Sequence, residues 1–184
     1  IPVVADRLLG ERCLSPRSSV LHLSGLLDRG ALAALAPTGA GLGSFHPLQT
    51  VADPETAGDR FRGAFAGVEG DAGALLAGER LAERLGMTPV RIPAGAKAAY
   101  HAGATIVANY TVALMGMAVR VAASAGVPAD LAGMIYLPLL HGAAVNLDRL
   151  APQDALTGAI RRGDAGTVAA HLAALSSGDR RLYA

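Results

Sequence analysis

"TPVRIPAGAKAAYHAGATIVANYTVALMGMAVR", residues 88–120, is where the chain changes character. Its first residues read as a short strand in which Val90 and Ile92 flank Arg91, and Pro93, with no N–H for a ladder, ends it. From about Ala94 the strand signal vanishes. An alanine-rich helical run extends to about Ala125 and stops at Gly126. A boundary near Pro93–Gly95 therefore predicts two parts, residues 1–93 and residues 94–184.

Upstream of that boundary, strand and helix signals alternate. "IPVVADRLL" (1–9) reads as a helix, "SSVLHLSG" (18–25) as a strand and "DRGALAALAPTG" (28–39) as a helix with Asp28 at its start. "AGLGSFHP" (40–47) and "RGAFAGVEGD" (62–71) are further strands, with Pro47 expected to stop the first of them. "DAGALLAGERLAERLG" (71–86) is amphipathic, with Leu75, Leu76, Leu81 and Leu85 against Glu79, Arg80, Glu83 and Arg84. Strands alternating with helices of about a dozen residues indicate a mostly parallel α/β sheet. Downstream, Pro128 suits the first turn of another helix, and two more helices follow, the last with Asp164 as its N-cap. The fold class is α/β plus all-α: a partial Rossmann-like, doubly wound sheet domain followed by a helical domain.

Composition narrows the function. A net charge of +1 over 184 residues argues against a nucleic-acid surface, which would show a clear basic excess. The single cysteine, Cys13, rules out an internal disulfide and fits a reducing, cytoplasmic compartment. The opening "IPVVADRLLGERC" has neither a basic n-region nor a long apolar core, so it is no signal peptide, and it reads as the middle of a longer chain. Residues 102–119 are uncharged and long enough to span a bilayer, but they are alanine-rich and hold Thr105, Asn109, Tyr110 and Thr111. A buried helix of a soluble protein, with no membrane partner, is the expectation.

A dinucleotide domain opens with a strand, a glycine-rich turn and a helix whose amides meet the pyrophosphate. No G-x-G-x-x-G follows a strand here, and "GAGLG" (39–43) enters a strand instead of leaving one. Nor do the five histidines pair with metal-ligand spacing, so no metal is expected. What remains is polar groups at strand ends. Ser24 and Gly25 follow one strand, and His46, Gln49 and Thr50 follow the next, at the carboxyl edge where open α/β sheets bind ligands. Each is equally readable as a turn residue. On the long helix His101, Thr105 and Asn109, at i, i+4 and i+8, form one polar stripe. Such a stripe suits either a ligand cleft or helix–helix hydrogen bonds in a dimer. Lys97 and Tyr100, beside it, read as structural or surface groups.

"VLHLSG", "GSFHPLQT", "AKAAYHAGATIVANYTVAL" and "ALTGAIRRGDAGTVAAHLAAL" together resemble a bacterial family of Rossmann-like proteins described as NADP oxidoreductases, with a helical C-terminal domain of unknown function. That family sits in the 6-phosphogluconate dehydrogenase-like group, beside pyrroline-5-carboxylate reductase and ketopantoate reductase. The resemblance implies hydride transfer between NADP (alternatively NAD) and a small carbonyl, imine or hydroxy-acid substrate. It also implies a homodimer through the helical domain. The relatives' helix carries a lysine and, one turn on, an asparagine; the matching positions here are His101 and Thr105. On this reading His101 is the proton donor, Asn109 orients the substrate beside Thr105, Gln49 and Thr50, and the nicotinamide lies near Ser24, Gly25 and His46. The alternative is a non-catalytic Rossmann-like module that senses a metabolite or assembles with a partner.

Overall fold

A computed structural model describes residues 1–53, 55 and 57–183. Two compact units are present, Ile1–Ala108 and Asn109–Ala184. The division falls inside the long helix, whereas the last strand of the sheet ends at Arg91.

The first unit is built on a four-stranded sheet of order β1-β2-β3-β4, with β1 Ser19–His22, β2 Gly41–Leu48, β3 Phe65–Gly70 and β4 Thr88–Arg91. The β1–β2 and β3–β4 pairs are parallel and β2–β3 is antiparallel, so the sheet is mostly parallel. Helix α1 (Pro2–Glu11) precedes the sheet, α2 (Ala57–Phe61) lies between β2 and β3, and α3 (Ala72–Arg84) joins β3 to β4. The segment after β1 is helical as expected, but it winds as a 3₁₀ helix, Arg29–Thr38, N-capped by Asp28 accepting from the Gly30 N–H at 2.9 Å.

Side chains alternate across a strand, so β2 feeds two cores. Leu42 packs with Ala5, Leu32 and Leu35 on one face, and Phe45 packs with Ala66, Val68, Ala82 and Met87 on the other. Continuing along the Leu42 face, the next two inward positions are Ser44 and His46. The strand thus passes from apolar core to polar site within four residues. Asp71 ties α3 to this strand: its carboxylate accepts from the Leu42 N–H at 2.7 Å and caps α3 through the Ala74 N–H at 3.1 Å. Those backbone donors hold its pKa below the usual carboxylate range against a partial desolvation that acts the other way.

Pro47 does not stop β2. The strand runs on to Leu48, with Pro47 opposite Ala66 of β3. Strand β1 pairs with β2 only over Gly41–Ser44, so residues beyond Ser44 have one free edge, where a proline is tolerated.

The second unit is all-helical among the described residues: α5 Thr111–Ser124, α6 Ala129–Leu147, α7 Pro152–Ala155, α8 Gly158–Arg162, α9 Ala165–Ala174 and α10 Ser177–Tyr183. Asp164 caps α9 as expected, accepting from the Thr167 N–H at 3.0 Å. Arg120 and Asp179, 3.1 Å apart, link α5 to α10, and His171 Nδ1 lies 2.7 Å from the Tyr183 hydroxyl.

The expectation of a buried apolar helix needs correction. Residues Lys97–Ser124 are helical and long and apolar enough to cross a membrane, yet only 11% of the apolar window is buried. Within the second unit Val112 is 72% exposed, Met134 68% and Leu139 69%. On α5 and α6 Met117, Ala122 and Ala132 are buried, while the large apolar side chains named above stay exposed.

Candidate functional site

Helix α4 (Lys97–Thr105) begins two residues after Gly95, whose φ of +78° turns the chain out of β4. Lys97, Tyr100 and His101 lie three and four residues apart, so all three fall on one face. Lys97 is only 2% exposed, and its ammonium donates to the Ser24 carbonyl at 2.8 Å. Burial pushes the Lys97 pKa down, while the Glu69 and Asp28 carboxylates act the other way. An isolated buried ammonium is costly, and these neighbours are what keep it in place.

The Ser24–Asp28 loop is fixed from the sheet side by a row of buried polar residues. His22, Ser44 and Glu69 are in register across β1, β2 and β3, and all three are buried. His22 Nδ1 accepts from the Ser24 N–H at 3.2 Å, so Nε2 carries the proton and donates to the Asp28 carbonyl at 2.9 Å. The Ser24 hydroxyl accepts from the Leu27 N–H at 3.0 Å. Glu69 accepts from the Arg29 N–H at 2.9 Å and lies 3.5 Å from the Ser44 hydroxyl. Each of the three buried side chains has a hydrogen-bond partner, in the loop or in the row itself, as burial requires.

Gly25 sits where this loop meets two imidazoles. A Cβ there would lie 2.8 Å from His46 Nε2 and 2.9 Å from His101 Nε2, and closer still to the His101 ring carbon. Only glycine lets the backbone come so near both rings. The two rings are 5.6 Å apart, centroid to centroid, at 68°. On its other side His46 Nδ1 is 3.1 Å from the Tyr100 hydroxyl. Burial first, then the Lys97 charge and His101, lower the His46 pKa, so this imidazole is neutral at neutral pH. Burial raises the Tyr100 pKa and keeps the phenol protonated. The arrangement offers a neutral donor–acceptor pair beside an ammonium, which suits binding an oxygen and moving a proton to or from it.

The structure thus brings together four of the residues picked from the sequence: Ser24, Gly25, His46 and His101. Gln49 and Thr50 are engaged elsewhere, Gln49 donating to the Arg60 carbonyl at 2.9 Å and accepting from the Thr50 N–H at 2.8 Å. Thr105, half-buried, continues the face of Lys97 and His101, whereas Asn109 is exposed and belongs to the second unit. Of the structural and surface readings of Lys97 and Tyr100, the geometry fits the structural one: Lys97 is buried on the Ser24 carbonyl, and Tyr100 touches His46. A signal for Lys97 was available: it is the one lysine among sixteen basic residues. Glu69 was missed although it is the sole charge in the strand "FAGVEG". Among the described residues no three His, Cys, Asp or Glu side chains converge as a metal site needs.

A mostly parallel sheet followed by a helical unit, with polar groups gathered at the sheet edge, defines a Rossmann-like fold. The chain belongs to the DUF2520 family, a domain of unknown function, whose model matches residues 64–184. Its fold is similar to that of protein TM1727 from Thermotoga maritima, at 28% identity and a TM-score of 0.74 over 89% of this chain and 63% of that one. It is also similar to a protein from Bacteroides fragilis titled "putative NADP oxidoreductase BF3122", at 21% identity and a TM-score of 0.70 over 90% of this chain and 61% of that one. The chain therefore spans about three-fifths of the length of these solved structures. No curated protein matches it.

Proposed function

We propose that this chain is the substrate-side portion of an NADP-dependent (alternatively NAD-dependent) oxidoreductase acting on a small carbonyl, imine or hydroxy-acid substrate. The observation that carries the reading is the meeting of His46 and His101 over Gly25, braced by buried Lys97, at the strand-end edge of the sheet. The likeness to the Bacteroides protein supports the fold, and that protein's name supplies the cofactor suggestion. The pyrophosphate-binding glycine turn is not among these residues. What they offer a nicotinamide is the Ser24–Gly25 loop beside His46, held through the Ser24 carbonyl by the Lys97 ammonium.

When bound, the nicotinamide supplies or accepts the hydride. This chain's own residues bind the reacting oxygen or nitrogen and handle its proton. His46 donates a hydrogen bond to that atom, and His101 gives or takes its proton. Lys97, too buried to be the proton donor itself, holds the Ser24 carbonyl and so the backbone on which both imidazoles rest.

The same reading includes a homodimer through the helical unit. The exposed apolar side chains of α5 and α6 support it, since faces of that kind on a soluble protein mark association surfaces. A cytoplasmic location goes with the proposed enzyme.

Thermal-shift measurements on the intact protein against NADPH and NADH test the cofactor, with a rise in Tm expected for one of them. A Tm unmoved by either at saturating concentration would sink the reading in favour of the non-catalytic module. For the proton donor, His101→Ala is expected to lower kcat by about 10²-fold or more, and wild-type turnover would remove His101 from that role.

A further inference from the structure

We infer that Tyr100 is a positioning residue that fixes His46 in the tautomer bearing its proton on Nε2, presenting that N–H toward Gly25 as a hydrogen-bond donor for an oxygen of the ligand. Three features of the geometry lead there. His46 Nδ1 lies 3.1 Å from the Tyr100 hydroxyl, with the two rings edge to face at 86°. The hydroxyl itself is packed on the Gly67 backbone, where a Cβ would collide with it. The third is the far nitrogen of His46: Nε2 sits 2.8 Å from the point a Cβ on Gly25 would occupy, beside His101.

A phenol has one proton to donate, and a neutral imidazole has one nitrogen able to accept it. The Tyr100 hydroxyl sits against Gly67 of β3 and 3.1 Å from His46 Nδ1. A phenol is a stronger proton donor than a neutral imidazole N–H, so the favourable arrangement sends the Tyr100 O–H to His46 Nδ1. The His46 proton is then on Nε2, at the end of the ring that faces Gly25. The groups facing His46 are Lys97, Tyr100 and His101 from α4, Gly25 from the loop and Gly67 from β3. None of them is an anion that would draw a second proton onto the ring. His46 therefore serves as a donor and not as a base, and the ligand atom it meets is an acceptor such as a carbonyl or hydroxyl oxygen.

The tautomer stands independently of the oxidoreductase reading, while its use toward a substrate oxygen rests on that reading. Two-dimensional ¹⁵N–¹H spectra of the imidazole side chains separate the two questions, because they need no substrate. The His46 signals are identified by their loss in His46→Gln. In the wild-type protein at neutral pH the account expects a protonated Nε2 and an unprotonated Nδ1. In Tyr100→Phe the two nitrogen shifts should move toward each other as the tautomers mix, with kcat falling more than KM rises. A wild-type spectrum showing the proton on Nδ1, or one with both nitrogens protonated, overturns the inference even if Tyr100→Phe does not fold. So does a Tyr100→Phe spectrum that matches wild type.

Discussion

Replacing Gly25 by alanine would drive a methyl group into both His46 and His101, and neither ring can retreat without breaking a packed contact. Overpacking of this kind costs about 1–3 kcal/mol, so Gly25→Ala is expected to lower Tm and to displace both imidazoles; an unchanged Tm would mean the rings are free to move. The depressed His46 pKa has a definite sign for stability. The folded state binds this proton less readily than the unfolded chain, whose histidine titrates near ~6.5. Stability from this group is therefore full above that value and lost as pH falls through it toward the lower folded pKa. His46→Gln should accordingly show a smaller Tm drop than wild type between about pH 8 and about pH 5.5. Lys97→Met removes a charge that depresses His46, so the His46 titration followed by NMR should move up, and an unmoved midpoint would deny the coupling. His46 and His101 were picked out in the sequence because one precedes a proline near a strand's end and the other begins a polar stripe. Lys97 and Tyr100 were not, because their burial depends on α4 docking against a loop 73 residues earlier in the chain.

At the scale of the element, Asp71 joins a helix cap to a strand edge. Asp71→Ala removes the acceptor for both Leu42 and Ala74 and is expected to cost about 1–2 kcal/mol, read from urea denaturation. A loss of only a few tenths would show that water replaces both bonds. The strands and α3 were readable from alternation and helical spacing, since both patterns reflect burial on one side of a local element. Pro47 misled because its tolerance depends on where β1 stops, which local sequence does not encode. The antiparallel turn of β3 was equally hidden: it depends on the path of the β2–β3 connection, not on the pattern within either strand.

For the whole molecule, the sequence pattern turns helical at Pro93–Gly95, but the compact units divide later, at Ala108, because the first turns of the long helix pack onto the sheet. The apolar composition of that helix suggested a buried core, whereas the single chain leaves most of it uncovered. If a second copy covers it, Val112→Glu with Leu139→Glu should convert a dimer to monomer by light scattering, and a wild-type monomer at micromolar concentration would exclude that arrangement. The central claim is that a nicotinamide-dependent site lies over Gly25 between two histidines. The measurement that tests it most directly is titration of the intact protein with NADPH while the side-chain signals of its five histidines are followed by NMR. The account predicts saturable shifts at His46 and His101, with His141 and His171 unmoved. Binding that leaves His46 and His101 unperturbed would contradict it.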